Sequence, residues 1–279
     1  MRSIHRPSLL VALLLVSIGW PTAAQVTPSA PAPIVLAPAE MEKFLLNAKV
    51  LAKKDLSKGV TKAQRLTLSD GVVTHYAHMQ DVDISMPFFN VDPKHTEVGF
   101  KDSYRYNVAA YRVAMQLGLD NVPMSVERTV DRVPAAVTWW LEGVMDEADR
   151  RKKKIEATNH QRTDSYYHVM RVFDELIQNR DRNAGNIMWT SDDRMWMIDH
   201  TRAFRLGKAL QKPEALHRVD RTLLEKLRAL DRKAVAEAVG RTLTKDEIDA
   251  MFVRRDLIVK LFDERIAARG EAAVLYALQ

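Results

Sequence analysis

The strongest constraint in the chain lies between Phe173 and Phe204. There an Asp is followed five residues later by an Asn, and then by two short apolar segments around a polar turn. The residues run Asp181-Arg-Asn-Ala-Gly-Asn186, Ile187-Met188-Trp189, Ser191-Asp192-Asp193, Met195 to Ile198, and Asp199. Helical spacing predicts a helix over Asp164–Asn179 leading into this unit. A tight hairpin sets its strand ends side by side, so Asp199 is delivered next to the Asp181–Asn186 segment. Two carboxylates and an amide gathered this way are hard oxygen donors, the set that a divalent cation takes. A capped surface loop would be the plain reading of an isolated Asp-x4-Asn, since turns favour both residue types. The flanking strands and the second acid argue for a site.

The N-terminus is read as a targeting segment. Arg2 and Arg6 precede an apolar run, Leu9–Ile18, that is too short to span a bilayer comfortably, and Thr22-Ala23-Ala24 suits signal peptidase. Cleavage there removes two arginines and no acids, so the net charge of +6 becomes +4. The expected product is an exported protein, periplasmic or extracellular, with no integral membrane span after cleavage. It has no cysteine, so core packing must hold it together without disulfides. This mild basic excess does not argue for nucleic acid. The densest run, Arg150 to Lys154, reads as a solvated turn or helix end, with an anion-landing patch as the alternative.

Beyond the signal at 1–24, the expected organisation is a Pro/Ala-rich linker at 25–38, a β-rich lobe at 39–142 and a helical lobe at 143–279. In the first lobe a helix is predicted over Ala39–Ala52. Strands follow at Leu56–Thr61, Arg65–Leu68 and Val72–Met79, the last two joined by the turn Ser69-Asp70-Gly71. A long helix is predicted over Lys101–Leu119. A second strand pair, Met124–Val130 and Ala135–Leu141, surrounds Asp131-Arg132, and Glu142-Gly143 forms a hinge. In the second lobe Asp231 and Gly240 bracket one helix, and Thr244 to Glu247 is a capping box for another that ends at Gly270. His75 and His78 lie three apart on a strand and face opposite sides, so they do not share a metal. The Trp139-Trp140 pair, Trp189 and Trp196 read as core or hinge packing.

The motif Phe-Asp-x-Leu-Ile-x-Asn-x-Asp-Arg-x-x-x-Asn-Ile resembles the atypical kinase superfamily, which includes phosphoinositide kinases, HipA-type bacterial kinases and the four-jointed type of secretory kinase. The likeness spans roughly residues 56–204 and is specific between Asp174 and Phe204. It implies an α+β, bilobal protein-kinase-like fold. Asp181 would be the catalytic Asp, Asn186 and Asp199 would bind Mg²⁺ or Mn²⁺, and ATP would be the co-substrate. His200 would stand at the Phe of the Asp-Phe-Gly element. Arg182 would brace the catalytic loop, and Asp174 would orient it.

The nucleotide lobe departs from this pattern. The strand Val72–Met79 has no Lys, and the helix position expected to carry Glu is Asn107. Gly59 and Lys62 would form a phosphate loop with a single Gly, with Lys58 as an alternative cation. Lys101 would be the nearest replacement for the strand Lys, Glu97 for the helix Glu, and Glu142 would line the nucleotide at the hinge. Arg202 and Arg205, just after Asp199, read either as solvated surface or as binders of a substrate phosphate or carboxylate. The expected function is phosphoryl transfer to a protein, sugar or lipid hydroxyl. A nucleotide- or partner-binding pseudokinase scaffold is the alternative, and nucleotidyl transfer is a third reading.

Overall fold

Apolar and polar residues alternate along Arg65–Ser69 and Tyr76–Gln80, which dictates a sheet with one buried face. The computed structural model describes residues 36–56, 63–92 and 95–278. The signal segment, nearly all of the linker, Lys58, Gly59, Lys62, and the expected strand beyond Leu56 lie outside these residues.

Helix α1 (Pro38–Asn47) opens with Pro in its first turn and buries Phe44 and Leu45. It stops short of the predicted Ala52, because the next residues form β1 (Lys49–Asp55), paired antiparallel with β2 (Gln64–Ser69). Sheet pairing overrides the helical spacing there. Strand β2 pairs with β3 (Thr74–Gln80) across the predicted turn, where Asp70 Oδ1 accepts from the backbone N–H groups of Val72 and Val73. Strands β4 (Asp83–Asp92) and β5 (His95–Ser103) then form a separate hairpin. This corrects the expected helix start at Lys101, since that residue is in a strand and α2 spans Arg105–Gln116. Strands β6 (Ser125–Val130) and β7 (Val133–Trp139) meet at Asp131 and Arg132, with φ of 49° and 69° as a two-residue hairpin turn requires.

The main sheet has the order β1-β2-β3-β7-β6. Leu66, Leu68, Ala77, Met79 and Val137 are buried in the same core cluster as Phe44 and Leu45 of α1. Arg65 pairs with His78 across β2 and β3, so these two share the opposite face with Tyr76 and Gln80.

The remainder is mainly helical. Strand β8 (Met145–Asp146) leads to α3 (Glu147–Lys152) and α4 (His160–Ile177). A short 3₁₀ turn at Ala184–Asn186 precedes β9 (Ile187–Trp189) and β10 (Met195–Met197), which pair as predicted, with β8 on the other side of β9. Next come β11 (Val219–Asp220), α5 (Arg221–Ala229), α6 (Arg232–Val239), α7 (Lys245–Arg269), α8 (Glu271–Val274) and β12 (Leu275–Tyr276), the last parallel to β11. The predicted caps are present: Asp231 on α6, and the Thr244/Glu247 box on α7, which ends at Gly270. Among the described residues, no helix is long and apolar enough to cross a membrane.

The basic run at Arg150 is partly structural. Arg150 is buried, lies 4.8 Å from the Trp189 ring centroid, and donates to Asp193 at 2.9 Å. Lys152 to Lys154 are exposed. Asp193, in the β9–β10 turn at φ 60°, also accepts from the Thr158 hydroxyl and from the N–H groups of Thr158 and Asn159, at 2.6 and 2.9 Å. Burial works against its charge, but the bonds from Thr158 and Asn159, together with Arg150, outweigh burial and hold the carboxyl below its ordinary pKa. Its stabilising contribution is therefore complete above the usual carboxylate range and is lost as pH falls through the lowered pKa. Asp193→Ala strands Arg150 without a counter-charge and is expected to cost about 3–5 kcal/mol at neutral pH. Urea unfolding measures this, and an unchanged midpoint would refute the assignment.

Candidate functional site

The loop after α4 is built around one guanidinium. Arg182 donates to both carboxylate oxygens of Asp174, at 2.9 and 3.0 Å, and to the carbonyls of Asn186 and Ile198, at 2.7 and 2.8 Å. It also meets His200 Nε2 at 3.0 Å. Burial and the adjacent Arg182 hold the His200 pKa well below its usual value, so the ring is neutral and Nε2 accepts. One side chain thus fixes the end of α4, the loop and the exit of β10. Asp174, on the last turns of α4, is the carboxylate partner of that brace.

Within the frame, the Asn186 side-chain amide donates to the Asp181 carbonyl at 2.9 Å, which leaves its Oδ1 as the free acceptor. Asp181 accepts a longer bond from the Asn183 amide. Asp199 has φ 53°, a left-handed conformation that Asp tolerates better than most residues. The Thr201 hydroxyl donates to its Oδ1 at 3.1 Å. Burial raises the Asp199 pKa and the Asp181 charge adds to the rise, against opposing bonds from Thr201.

Sequence reasoning missed a third acid. Asp102 on β5 has its pKa raised by burial and by Asp199 and Asp181, and its Oδ1 is buried without a hydrogen-bond partner. The predicted helix start hid it; a strand there turns successive side chains to opposite faces. Asp102 accordingly faces Asp199, whereas Lys101 donates to Glu247 of α7 at 2.7 Å. Mutual repulsion among these half-buried carboxylates is relieved by a cation, so this donor set fits a divalent metal. Among the described residues no three His, Cys, Asp or Glu side chains converge on one metal position. A cation here would therefore also draw on the Asn186 oxygen.

The first half rewires the expected Lys–Glu pair. Asn107 stands on α2 where the Glu was expected, and its amide donates to Gln80 Oε1, at the end of β3, at 3.0 Å. Asn107 Oδ1 in turn accepts from the His200 backbone N–H at 2.7 Å, which ties α2 to the residue after Asp199. Glu97 does not hold a Lys. It accepts from Arg202 at 2.6 Å and from Arg205, so both arginines are engaged within the fold, and Arg205 is buried. His78 is buried, which pushes its pKa down to about 4, so it adds no charge at neutral pH. On the same face the Arg65 guanidinium lies 4.2 Å from the Tyr76 ring centroid and 5.7 Å from that of Trp140. Glu142 is exposed in the β7–β8 connection, 3.9 Å from His75 Nδ1. Trp139 stacks on His75 and meets Phe44 edge-on, as packing.

A five-stranded antiparallel sheet with a helix inserted before its last two strands, followed by a helical region carrying this loop and hairpin, is a kinase-like fold. Solved structures agree. Hydra Fam20 with sugar matches at TM-score 0.65 and 15% identity, covering 87% of this chain and 94% of that one. The Golgi casein kinase with Mn/ADP bound matches at TM-score 0.61 and 14% identity, over 85% of this chain and 78% of that one. The Helicobacter pylori proinflammatory kinase CtkA matches at TM-score 0.51 and 12% identity, over 80% and 97%. No sequence-family profile matches the chain, and no curated protein sequence does.

Because Asp199 binds its proton more tightly when folded, its own contribution to the stability of the metal-free protein falls as pH rises from the usual carboxylate pKa, about 3.9, through the raised one. Without metal, Asp199→Asn is therefore expected to melt above wild type at pH 7, with the gap closing toward pH 4. Calorimetry across that range checks this, and a variant that melts below wild type at pH 7 would contradict it.

Proposed function

We propose that the protein is a phosphotransferase that moves the γ-phosphate of ATP to a hydroxyl. The observation carrying this reading is the gathering of Asp181, Asn186 and Asp199 by the β9–β10 hairpin, with Asn186 presenting its oxygen and Asp199 half-buried beside Asp181. Asp181 orients the acceptor hydroxyl and takes its proton. Asn186 and Asp199 would hold Mg²⁺ or Mn²⁺, which supplies charge neutralisation for the nucleotide phosphates. Arg182 is a positioning residue. Lys101 is committed to Glu247, so we assign the nucleotide side of the cleft to Arg65, with Gly59 and Lys62 of the β1–β2 connection covering the phosphates and Glu142 at the hinge. We further propose export through the N-terminal apolar segment. The names of the structural neighbours support this: one is a Golgi enzyme. They also suggest the acceptors to try first, a sugar or a casein-like protein.

A second reading, a nucleotide-binding scaffold without transfer, is favoured by one observation. The neutral Gln80–Asn107 pair replaces a charged one, which removes a cation from the phosphates.

Thermal unfolding with Mn²⁺ and ATP tests the site. Nucleotide at a hundred times its dissociation constant should stabilise wild type by about 2.7 kcal/mol, and Asp199→Ala should abolish the shift. Asp181→Asn should keep the shift yet lose roughly 10²–10⁴-fold in transfer of labelled γ-phosphate to sugar and protein acceptors. A metal-dependent shift without transfer to any acceptor would favour the scaffold, and no shift in wild type would sink both readings.

A further inference from the structure

The peptide units on either side of Asp199 are each held by a side chain, one from each half of the molecule. The carbonyl of Ile198, in the unit before Asp199, accepts from Arg182 at 2.8 Å. The N–H of His200, in the unit after it, donates to Asn107 Oδ1 on α2 at 2.7 Å. Peptide units are planar, so holding one group of each restrains its whole plane, and the two planes together set both backbone dihedrals of Asp199. Those dihedrals are unusual. The φ of 53° lies in the left-handed region that residues other than Gly seldom occupy. Asn107 is held in its turn. It is 7% exposed, and its amide N–H donates to Gln80 Oε1 at 3.0 Å, which decides that Oδ1 rather than Nδ2 meets His200.

We infer that Asn107 is a positioning residue for the Asp199 carboxylate, which it holds in place through the His200 N–H. The inference rests on the reading of Asp199 as a ligand of Mg²⁺ or Mn²⁺. Arg182 secures only the near side of Asp199. Without Asn107 the far peptide unit loses its hydrogen bond, the left-handed conformation loses a restraint, and the carboxylate drifts from the cation position. Groups that orient a ligand without touching the metal act on affinity in this way. The choice of an amide follows from the charges nearby. Asp102 already feels the repulsion of Asp199 and Asp181, so a carboxylate at position 107 would add to it, whereas Asn offers an acceptor oxygen without charge.

Mn²⁺ affinity of the full chain, measured by calorimetry with and without ATP, tests the inference, and amide exchange at His200 gives a readout that needs no metal. Asn107→Leu is expected to weaken Mn²⁺ binding by roughly 10–100-fold and to speed exchange of the His200 N–H. Asn107→Asp keeps an oxygen toward His200 and can accept from the Gln80 amide turned end for end. It should recover slow exchange at His200 and bind Mn²⁺ roughly tenfold or more tightly than Asn107→Leu. Asn107→Ala, which crowds nothing, carries the same expectation as Asn107→Leu if the larger side chain prevents folding. Equal Mn²⁺ affinity in wild type and either folded apolar variant would overturn the inference while leaving the site reading intact. A gain in Asn107→Asp without recovered protection at His200 would mark a charge effect and overturn it as well. A wild type that binds no Mn²⁺ even with ATP would overturn both.

Discussion

The Arg182 guanidinium joins the end of α4, the loop after it and the exit of β10 through a single side chain. Its planar fork takes the Asp174 carboxylate side-on, while the remaining N–H groups reach two carbonyls and a neutral imidazole. A lysine would offer one compact charge and could not fill those directions at once. The pair is nearly buried, so its desolvation is offset only because almost every donor is used. Asn186 and Asp199 hang from the two carbonyl-bearing segments that this group clamps. The positions of the oxygen donors thus rest on this arginine together with the β9–β10 pairing.

A second set of tethers works by neutral amides. Gln80, Asn107 and the His200 backbone form a chain of hydrogen bonds from the sheet through α2 to the residue after Asp199. A charged pair in the same place would respond strongly to nearby phosphates, whereas an amide pair holds geometry without contributing field. Under the proposed function, phosphate neutralisation would fall to the metal and to cations elsewhere, chiefly Arg65 on the face of the sheet shared with Tyr76 and His78.

What the sequence disclosed follows from the range of the forces involved. The β9–β10 hairpin, the Asp131-Arg132 turn, the caps at Asp231 and Thr244 and the stop at Gly270 are local, and each was readable from neighbouring residues. The β4–β5 hairpin was not, because Ile84, Met86 and Phe88 alternate along a strand that stays exposed and Pro87 interrupts the pattern. Strand β1 was taken into the preceding helix because its pairing with β2, not its composition, decides its conformation. The Asp181, Asn186 and Asp199 cluster was legible through its spacing. The roles of Asn107, Glu97 and Lys101 were not, since each is set by a partner far along the chain.

Helix α7 carries one such partner, and it bears on how the molecule comes together. Glu247 reaches back 146 residues to hold Lys101, and also receives the Tyr106 hydroxyl at 2.6 Å. A few residues on, the fully buried Arg254 donates to the carbonyls of Leu176, Arg205 and Gly207, and so grips both sides of the loop. A ribosome delivers the acids around Asp199 well before it delivers this helix. A nascent chain therefore holds all the chemical groups of the site while lacking the strut that orients the β4–β5 arm over them. The site is completed by a helix that emerges only after every acid it helps to orient.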